Sequence, residues 1–183
     1  ESANPTGSMK DRMALAMIRA AEADGRLPPG GPVVEYTGGS TGVSLALVCA
    51  VTGHPLHIVT SDAFAREKLD HMRLLGAQLQ VIPSDSGRMT ERLTREMIAA
   101  AGTIAARTGA FLTDQMNNRD QLVAYHRMAG EIDGPVTAFV QSVGTAASLR
   151  GLGEALRRRH PGIRIVAVEP AESAVLSGGP SGA

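Results

Sequence analysis

"PVVEYTGGSTGVSLALVCAV", Pro32 to Val51, passes from one kind of chain to another at its glycines. The opening "PVVEY" is a short apolar run and predicts a buried strand, whereas the apolar residues from Val43 to about Val51 predict a helix. Between them "TGGSTG", Thr37 to Gly42, has the small residues of a tight connection. The order is strand, glycine loop, helix.

The same alternation extends in both directions. Upstream, Met13, Ala16, Met17 and Ala20 recur at helical spacing in a helix from Met9 to Ala23, with Ser8 and Asp11 placed as a capping box and "RLPPGG" as the break. Downstream come "LHIVTS" as strand, Ala65 to Leu75 as helix with Gly76 as its stop, "AQLQVI" as strand, and a long helix from about Met89 to Arg107. "GAFLT" then predicts a short strand, Arg119 to Ile132 a helix, "VTAFVQ" a strand, "SVGTAAS" a loop, Leu149 to Arg159 a helix, and "IRIVAVEP" a last strand. This pattern predicts an α/β fold: a mostly parallel, twisted sheet with helices on both faces and ligands at the carboxyl ends of its strands. No repeat or low-complexity tract interrupts it.

At 183 residues and 43% hydrophobic content, the chain can bury a sizeable core. Its formal charge is zero, and its one dense basic run, Arg157 to Arg159 beside His160, reads as a solvated helix end whose cations suit the dipole. With three Phe, two Tyr and no Trp there are few rings for stacking bases, so no nucleic-acid partner is expected. Cys49 is the sole cysteine and lies in an apolar run; it reads as a small core residue, with a reducing, cytoplasmic setting as the default. No apolar stretch approaches the roughly 20 residues of a membrane span, and no signal-peptide pattern is present, so no membrane partner is expected either. The chain opens without methionine and closes on "LSGGPSGA", read as a flexible tail, which makes it look like a piece of something longer. His54, His57, His71, His126 and His160 are scattered and no metal site is expected. The eight methionines read as core fillers; Glu67, Asp70 and Asp114 read as residues of solvated faces or caps.

Lysine usage is more informative. The chain holds 16 arginines but only two lysines, Lys10 and Lys68. Lys10 lies in the first turn of the predicted first helix, inside "NPTGSMKDR". An amine can lose its proton and attack a carbonyl carbon, which a guanidinium cannot do.

Two predicted strand-to-helix junctions, "TGGSTG" and "SVGTAAS" (Ser142 to Ser148), share one chemistry. Small residues let backbone amides approach a ligand, hydroxyls add donors, and the following helix presents unpaired N–H groups and a positive dipole end. Neither loop matches the nucleotide patterns GxxxxGK[ST] or GxGxxG, and "GLG" at Gly151 to Gly153 falls inside a predicted helix. One amine and two anion seats suit a phosphate-bearing carbonyl cofactor together with an amino acid carboxylate, and pyridoxal phosphate fits that description.

"NPTGSMKDR" resembles the cofactor-lysine segment of the cysteine synthase and cystathionine β-synthase family, the fold type II pyridoxal-phosphate enzymes. "TGGSTG" 27 residues after Lys10, "TDQMNN" (Thr113 to Asn118), "GTAAS" (Gly144 to Ser148) and "VEPAESAVLSGG" (Val168 to Gly179) follow in family order, so the likeness spans nearly the whole chain. Serine and threonine dehydratases of the same fold place a phenylalanine before the lysine and resemble this chain less.

The resemblance implies a tryptophan synthase β-like fold in which residues 1–35 and 120–183 belong to a larger cofactor-binding domain and residues 36–119 to a smaller mobile substrate-binding lobe. It implies that Lys10 binds the cofactor covalently and then removes the substrate's Cα proton. Thr37, Gly38, Gly39, Ser40, Thr41 and Gly42 map onto the substrate-carboxylate loop, with Ser40 where the family usually has an asparagine that contacts the cofactor's phenolic oxygen. Gln115 maps onto a second contact to that carboxylate. Gly144, Thr145, Ala146, Ala147 and Ser148 map onto the phosphate loop, where two alanines replace glycines; amides survive that change at negative φ, whereas a positive φ would strain the loop. The family's earlier strand region, and the later part that supplies a hydroxyl partner for the pyridine nitrogen, are not in this sequence.

Function follows as expectation. The implied reaction is β-replacement on an activated serine, such as O-acetylserine with sulfide as acceptor in cysteine biosynthesis, by a cytoplasmic homodimer acting on a small amino acid. Two alternatives stay open: β-elimination with the same cofactor, and a non-catalytic ligand-binding or interaction protein on the same scaffold.

Overall fold

A computed structural model describes residues 1–180 of the chain, which folds as two compact units, Glu1–Asn118 and Arg119–Ala183. Residues 1–35 lie in the same unit as residues 36–118.

The first unit is built around a four-stranded parallel sheet. Its strands are β1 (Val33–Tyr36), β2 (Leu56–Ser61), β3 (Gln78–Ile82) and β4 (Phe111–Leu112), in the spatial order β3-β2-β1-β4. Val33 is in register with Leu56 on one side and Phe111 on the other. Strands buried on both faces need continuous rather than alternating apolar character. Accordingly, Val33, Val34, Ile58 and Val59 are all fully buried.

Chain direction decides which helix covers which face. β1, β2 and β3 advance in one direction across the sheet, and the chain then returns past β1 to place β4 on the far side. Right-handed crossovers therefore put α2 (Ser40–Thr52) and α3 (Arg66–Leu74) on one face and α4 (Glu91–Thr108) on the other. Leu93, Met97, Ala101 and Ile104 of α4 pack with Val34 and Val59 in one core cluster. α1 (Lys10–Ala23) packs outside α2, burying Met13, Ala14, Met17, Ile18 and Ala21. The sheet reverses its order between β1 and β4, and the carboxyl ends of strands at such a reversal form the usual ligand crevice of an open α/β sheet. "TGGSTG" leaves β1 there, and "TDQMNN" leaves β4.

Local chemistry sets the element ends. Thr90 Oγ1 accepts from Leu93 N at 3.1 Å and starts α4, and Gly109 closes it at φ 69°. The anticipated capping box at α1 is absent: Ser8 Oγ accepts from Lys10 N at 3.1 Å, but the Asp11 carboxylate points away from Ser8 to other partners. α2 begins at Ser40 rather than Val43, so half of the predicted loop is its first turn. Gly39 supplies the extended residue before it.

The second unit holds α5 (Gln121–Gly130), β5 (Ala138–Ser142), α6 (Ala147–Arg159) and β6 (Arg164–Val168), with β5 and β6 paired in parallel. α5 and α6 touch where a Cβ on Gly151 would lie 2.6 Å from Tyr125 Cβ, so "GLG" serves helix packing. The closing stretch is more ordered than a tail through residue 179. Val175–Ser177 form a 3-10 turn, and the Glu169 carboxylate accepts from Leu176 N, Ser177 N and Ser177 Oγ. Residues 181–183 of the predicted tail lie outside the described residues.

Candidate active site

Lys10 is the first residue of α1 and half-buried. Burial lowers the pKa of its amine from the ordinary lysine value, because a desolvated ammonium is penalised. Among the described residues no carboxylate pairs with it. The adjacent Asp11 is otherwise engaged: it accepts from Thr6 N at 2.9 Å, from Thr6 Oγ1, and from Ser44 Oγ at 2.6 Å. Those bonds fasten the lysine-bearing segment to Ser44 near the N-terminus of α2, the same end that the "TGGSTG" loop opens.

That loop is compact. A Cβ on Gly38 would lie 1.9 Å from the Phe64 ring, and one on Gly42 would lie 2.7 Å from Met72 Cε and 2.8 Å from Thr37 Cγ2. These two glycines are required by close packing. Gly39 instead opens onto free space, and its N–H donates to Thr37 Oγ1 at 3.3 Å. Thr41 Oγ1 donates to Gln115 Oε1 at 2.7 Å, so the structure brings these two predicted contacts together across the β1–β4 reversal. Ser40 Oγ accepts from Lys68 Nζ at 3.3 Å, a contact that puts the second lysine at the same loop.

In the second unit, Gly144 to Ser148 lead into α6. Ala147 and Ser148 are already its first two residues and are buried, whereas Gly144 has nothing within 4 Å of where a Cβ would be. Ala146 precedes the helix at φ 61°, ψ −4°, the left-handed region that glycine tolerates and alanine resists. The loop thus keeps a backbone bend suited to glycine.

A phosphate-bearing aldehyde and an amino acid together require an amine able to lose its proton and two places for anions. Lys10 supplies the first. The N-termini of α2 and α6 have neither a side-chain cap nor an acid in the first turn, which leaves their N–H groups and positive dipole ends for an anion. The first turns of α1, α3 and α4 hold Asp11, Glu67 and Glu91 instead; α5 also lacks both features, but an acid, Asp120, stands at its N-cap position. Taken unit by unit, the chemistry of Lys10 and the α2 N-terminus in the first, and of the α6 N-terminus in the second, suits such ligands.

Other residues fall into place as structure. Cys49 is buried, its thiol pushed up to about 12 by desolvation. His54 is buried between Gly31 O and Glu22 Oε1, and no cluster of metal-ligating side chains occurs among the described residues. Met13, Met17, Met72 and Met97 are core, but Met116 beside Gln115 is exposed. No helix of the described residues is long and apolar enough to cross a membrane.

Sequence reading missed Glu35. It is wholly buried at the end of β1, with a carboxyl group pushed up to about 7, chiefly by desolvation. The signal was available: an acid inside the apolar run "PVVEY" must be paired or hydrogen-bonded if that run is a buried strand.

The chain is similar to known proteins over nearly its whole length. A cysteine synthase of Staphylococcus aureus is 35% identical over 188 aligned residues, covering 100% of this chain and 59% of that protein. The crystal structure of O-acetyl serine sulfhydrylase isoform 3 from Entamoeba histolytica matches with a TM-score of 0.88 at 37% identity, over 98% of this chain and 54% of that one. A hydrogen sulfide-producing enzyme from Fusobacterium nucleatum matches with a TM-score of 0.88 at 32% identity, over 100% of this chain and 60% of that one. The chain therefore spans somewhat more than half the length of these relatives. A family profile described as pyridoxal-phosphate dependent enzyme matches residues 1–182, and the chain belongs to that family.

Proposed function

We propose that the protein containing this chain is a cysteine synthase-like enzyme that performs β-replacement on an activated serine, joining O-acetylserine and sulfide to give cysteine. The observation that carries this reading is Lys10: a desolvated amine without an acid partner among the described residues, in a segment that Asp11 fastens to the helix of the carboxylate loop. Bound pyridoxal phosphate supplies an electron-withdrawing ring that stabilises negative charge at the substrate's Cα. Lys10 would hold it, and the amides and hydroxyls of Gly144, Thr145, Ala146, Ala147 and Ser148 would take its phosphate. Ser40 would face its ring oxygen with a shorter reach than asparagine has.

Thr37, Gly38, Gly39, Ser40 and Thr41, with Gln115, would bind the substrate carboxylate and orient the Cα–H bond. Lys10, once displaced by the substrate's amine, would take the Cα proton. The Cβ–O bond then breaks with departure of acetate, a Cβ–S bond forms with the incoming sulfide, and the proton returns to Cα. In this reading residues 36–119 form a smaller mobile lobe that excludes water, residues 1–35 and 120–183 belong to the larger domain, and the protein is a cytoplasmic homodimer acting on an amino acid.

Borohydride reduction of the full-length protein, followed by peptide mass analysis, tests the assignment. The cofactor mass is expected on the peptide containing Lys10; attachment at Lys68, or none, overturns it. Ser40 and the hydrogen sulfide-producing neighbour favour a second reading, β-elimination by the same residues. Product analysis separates the two. Cysteine formed only with sulfide supports replacement, whereas pyruvate and ammonia released equally with and without sulfide support elimination.

A further inference from the structure

Glu35 is the most buried acid of the first unit, and two of its three hydrogen bonds come from the segment that bears Gln115. Oε1 accepts from Tyr36 N at 2.9 Å; Oε2 accepts from Thr113 Oγ1 at 2.7 Å and from Gln115 N at 3.0 Å. Between those last two residues, Asp114 adopts φ 45°, a left-handed turn that aspartate accepts more readily than most residues. The next side chain, Gln115, meets Thr41. A continuous path therefore runs from the buried carboxyl through the Gln115 backbone to the Gln115 amide group and on to the carboxylate loop.

We propose that Glu35 is a positioning residue for the carboxylate subsite, holding the Gln115 backbone so that its side chain stays paired with Thr41. The inference rests on the reading of that loop as the substrate-carboxylate site. A hydrogen bond to an ionised acceptor is about twice as strong as a neutral one, so the grip is firmest when Glu35 is a carboxylate.

The geometry also contains the alternative proton arrangement. Thr113 Oγ1 lies 2.7 Å from Glu35 Oε2 and 3.3 Å from Val34 O. With Glu35 ionised, the threonine hydroxyl donates to it. With Glu35 protonated, the carboxyl O–H donates to Thr113 Oγ1, whose own hydrogen turns to the Val34 carbonyl, and the bond from Gln115 N loses its charge assistance.

The titratable groups facing Glu35 are Tyr36 on its own strand and Asp114 on the loop after β4, whose negative charge opposes ionisation. Its register neighbour on β2 is Ile58, and α2, the helix on its side of the sheet, carries Cys49 as its only titratable side chain. α4 covers the opposite face, against Val34. Burial leaves the Glu35 carboxyl titrating at about 7, so both arrangements are accessible near neutral pH.

The test uses the full-length holoenzyme with O-acetylserine and sulfide between pH 6 and 8.5, together with the amide resonance of Gln115. In the wild-type protein the Gln115 amide is expected to titrate with a midpoint near neutrality, and KM to rise roughly tenfold on the acid side with kcat within about twofold, the size expected when one charge-assisted bond weakens. Glu35→Gln should show the raised KM at every pH and no titration. Thr113→Val keeps the acid but removes a donor to it, and should move the midpoint upward. A Glu35→Gln enzyme with wild-type KM and pH profile, or a Thr113→Val enzyme with an unmoved midpoint, overturns the inference; if Glu35→Gln does not fold, the Thr113→Val midpoint decides. Cofactor missing from Lys10 would sink the functional reading alone, since the Gln115 resonance reports on Glu35 without turnover.

Discussion

The two loops proposed as anion seats follow strands and open helices in the same way, yet they obtain their shapes by opposite means. The loop after β1 is shaped from outside. Phe64, Met72 and Thr37 crowd Gly38 and Gly42 so closely that only glycine fits, while Gly39 faces open space. The loop after β5 is shaped from within. Nothing crowds Gly144, and the sharp bend falls on Ala146, which must hold a positive φ without a glycine's freedom. The difference teaches that a "glycine-rich" anion loop is two physical problems, one of space and one of torsion, and that a substitution tolerated in one loop fails in the other.

Gly38→Ala breaks the comparison hardest. Its Cβ would enter the Phe64 ring, and the ring is packed against the α4 core cluster. Overpacking of this kind is expected to cost about 3 kcal/mol, the upper end of the usual range. Gly144→Ala should change stability by less than about 0.5 kcal/mol. Chemical denaturation of the pair measures both; equal losses would mean that the first loop can yield.

A second contrast lies beneath the loops, because the first rests on a buried carboxyl and the second does not among the described residues. Between pH 4.5 and about 7, folded Glu35 keeps a proton that the unfolded chain has already released. The folded state then binds more protons, so stability falls as pH rises through that window, by about 3 kcal/mol from this group alone. Glu35→Gln should lack this component. The stability of the variant relative to wild type is therefore expected to improve as pH rises from 4.5 to 8, and parallel pH curves would refute the assignment.

The smallest expected effect is the most specific. Ala146→Gly should stabilise by about 1 kcal/mol by removing the left-handed penalty. Ala147→Gly, one residue on and inside α6, should destabilise by up to about 1 kcal/mol through helix propensity. Thermal melts with opposite signs at adjacent alanines would sharpen the torsional account; like signs would end it.

Much of the fold was legible because periodicity is a local property. Each predicted strand and helix has a counterpart in the structure, and the largest displacement of a start falls at α2, where half of the predicted loop forms the first helical turn. That mistake has a cause: serine, threonine and glycine are poor interior helix residues, but at a first turn their backbone amides need no partner inside the helix. The capping box failed for a related reason. Ser8 and Asp11 have the right spacing, but Thr6 and Ser44 offer the aspartate better donors, and Ser44 lies far along the chain.

The sequence by itself determined the strand and helix order, the single lysine in its motif, the glycine loops and the family to which they belong. These depend on residue type and short spacing, which the chain carries in one dimension. Tertiary structure decided the rest: that Thr41 meets Gln115 where the sheet order reverses, that a buried Glu35 accepts from the Gln115 backbone N–H, and that a glycine's bend has fallen to Ala146. The first two arise from parallel strand pairing, which brings together segments about 80 residues apart through hydrogen bonds that no local pattern encodes.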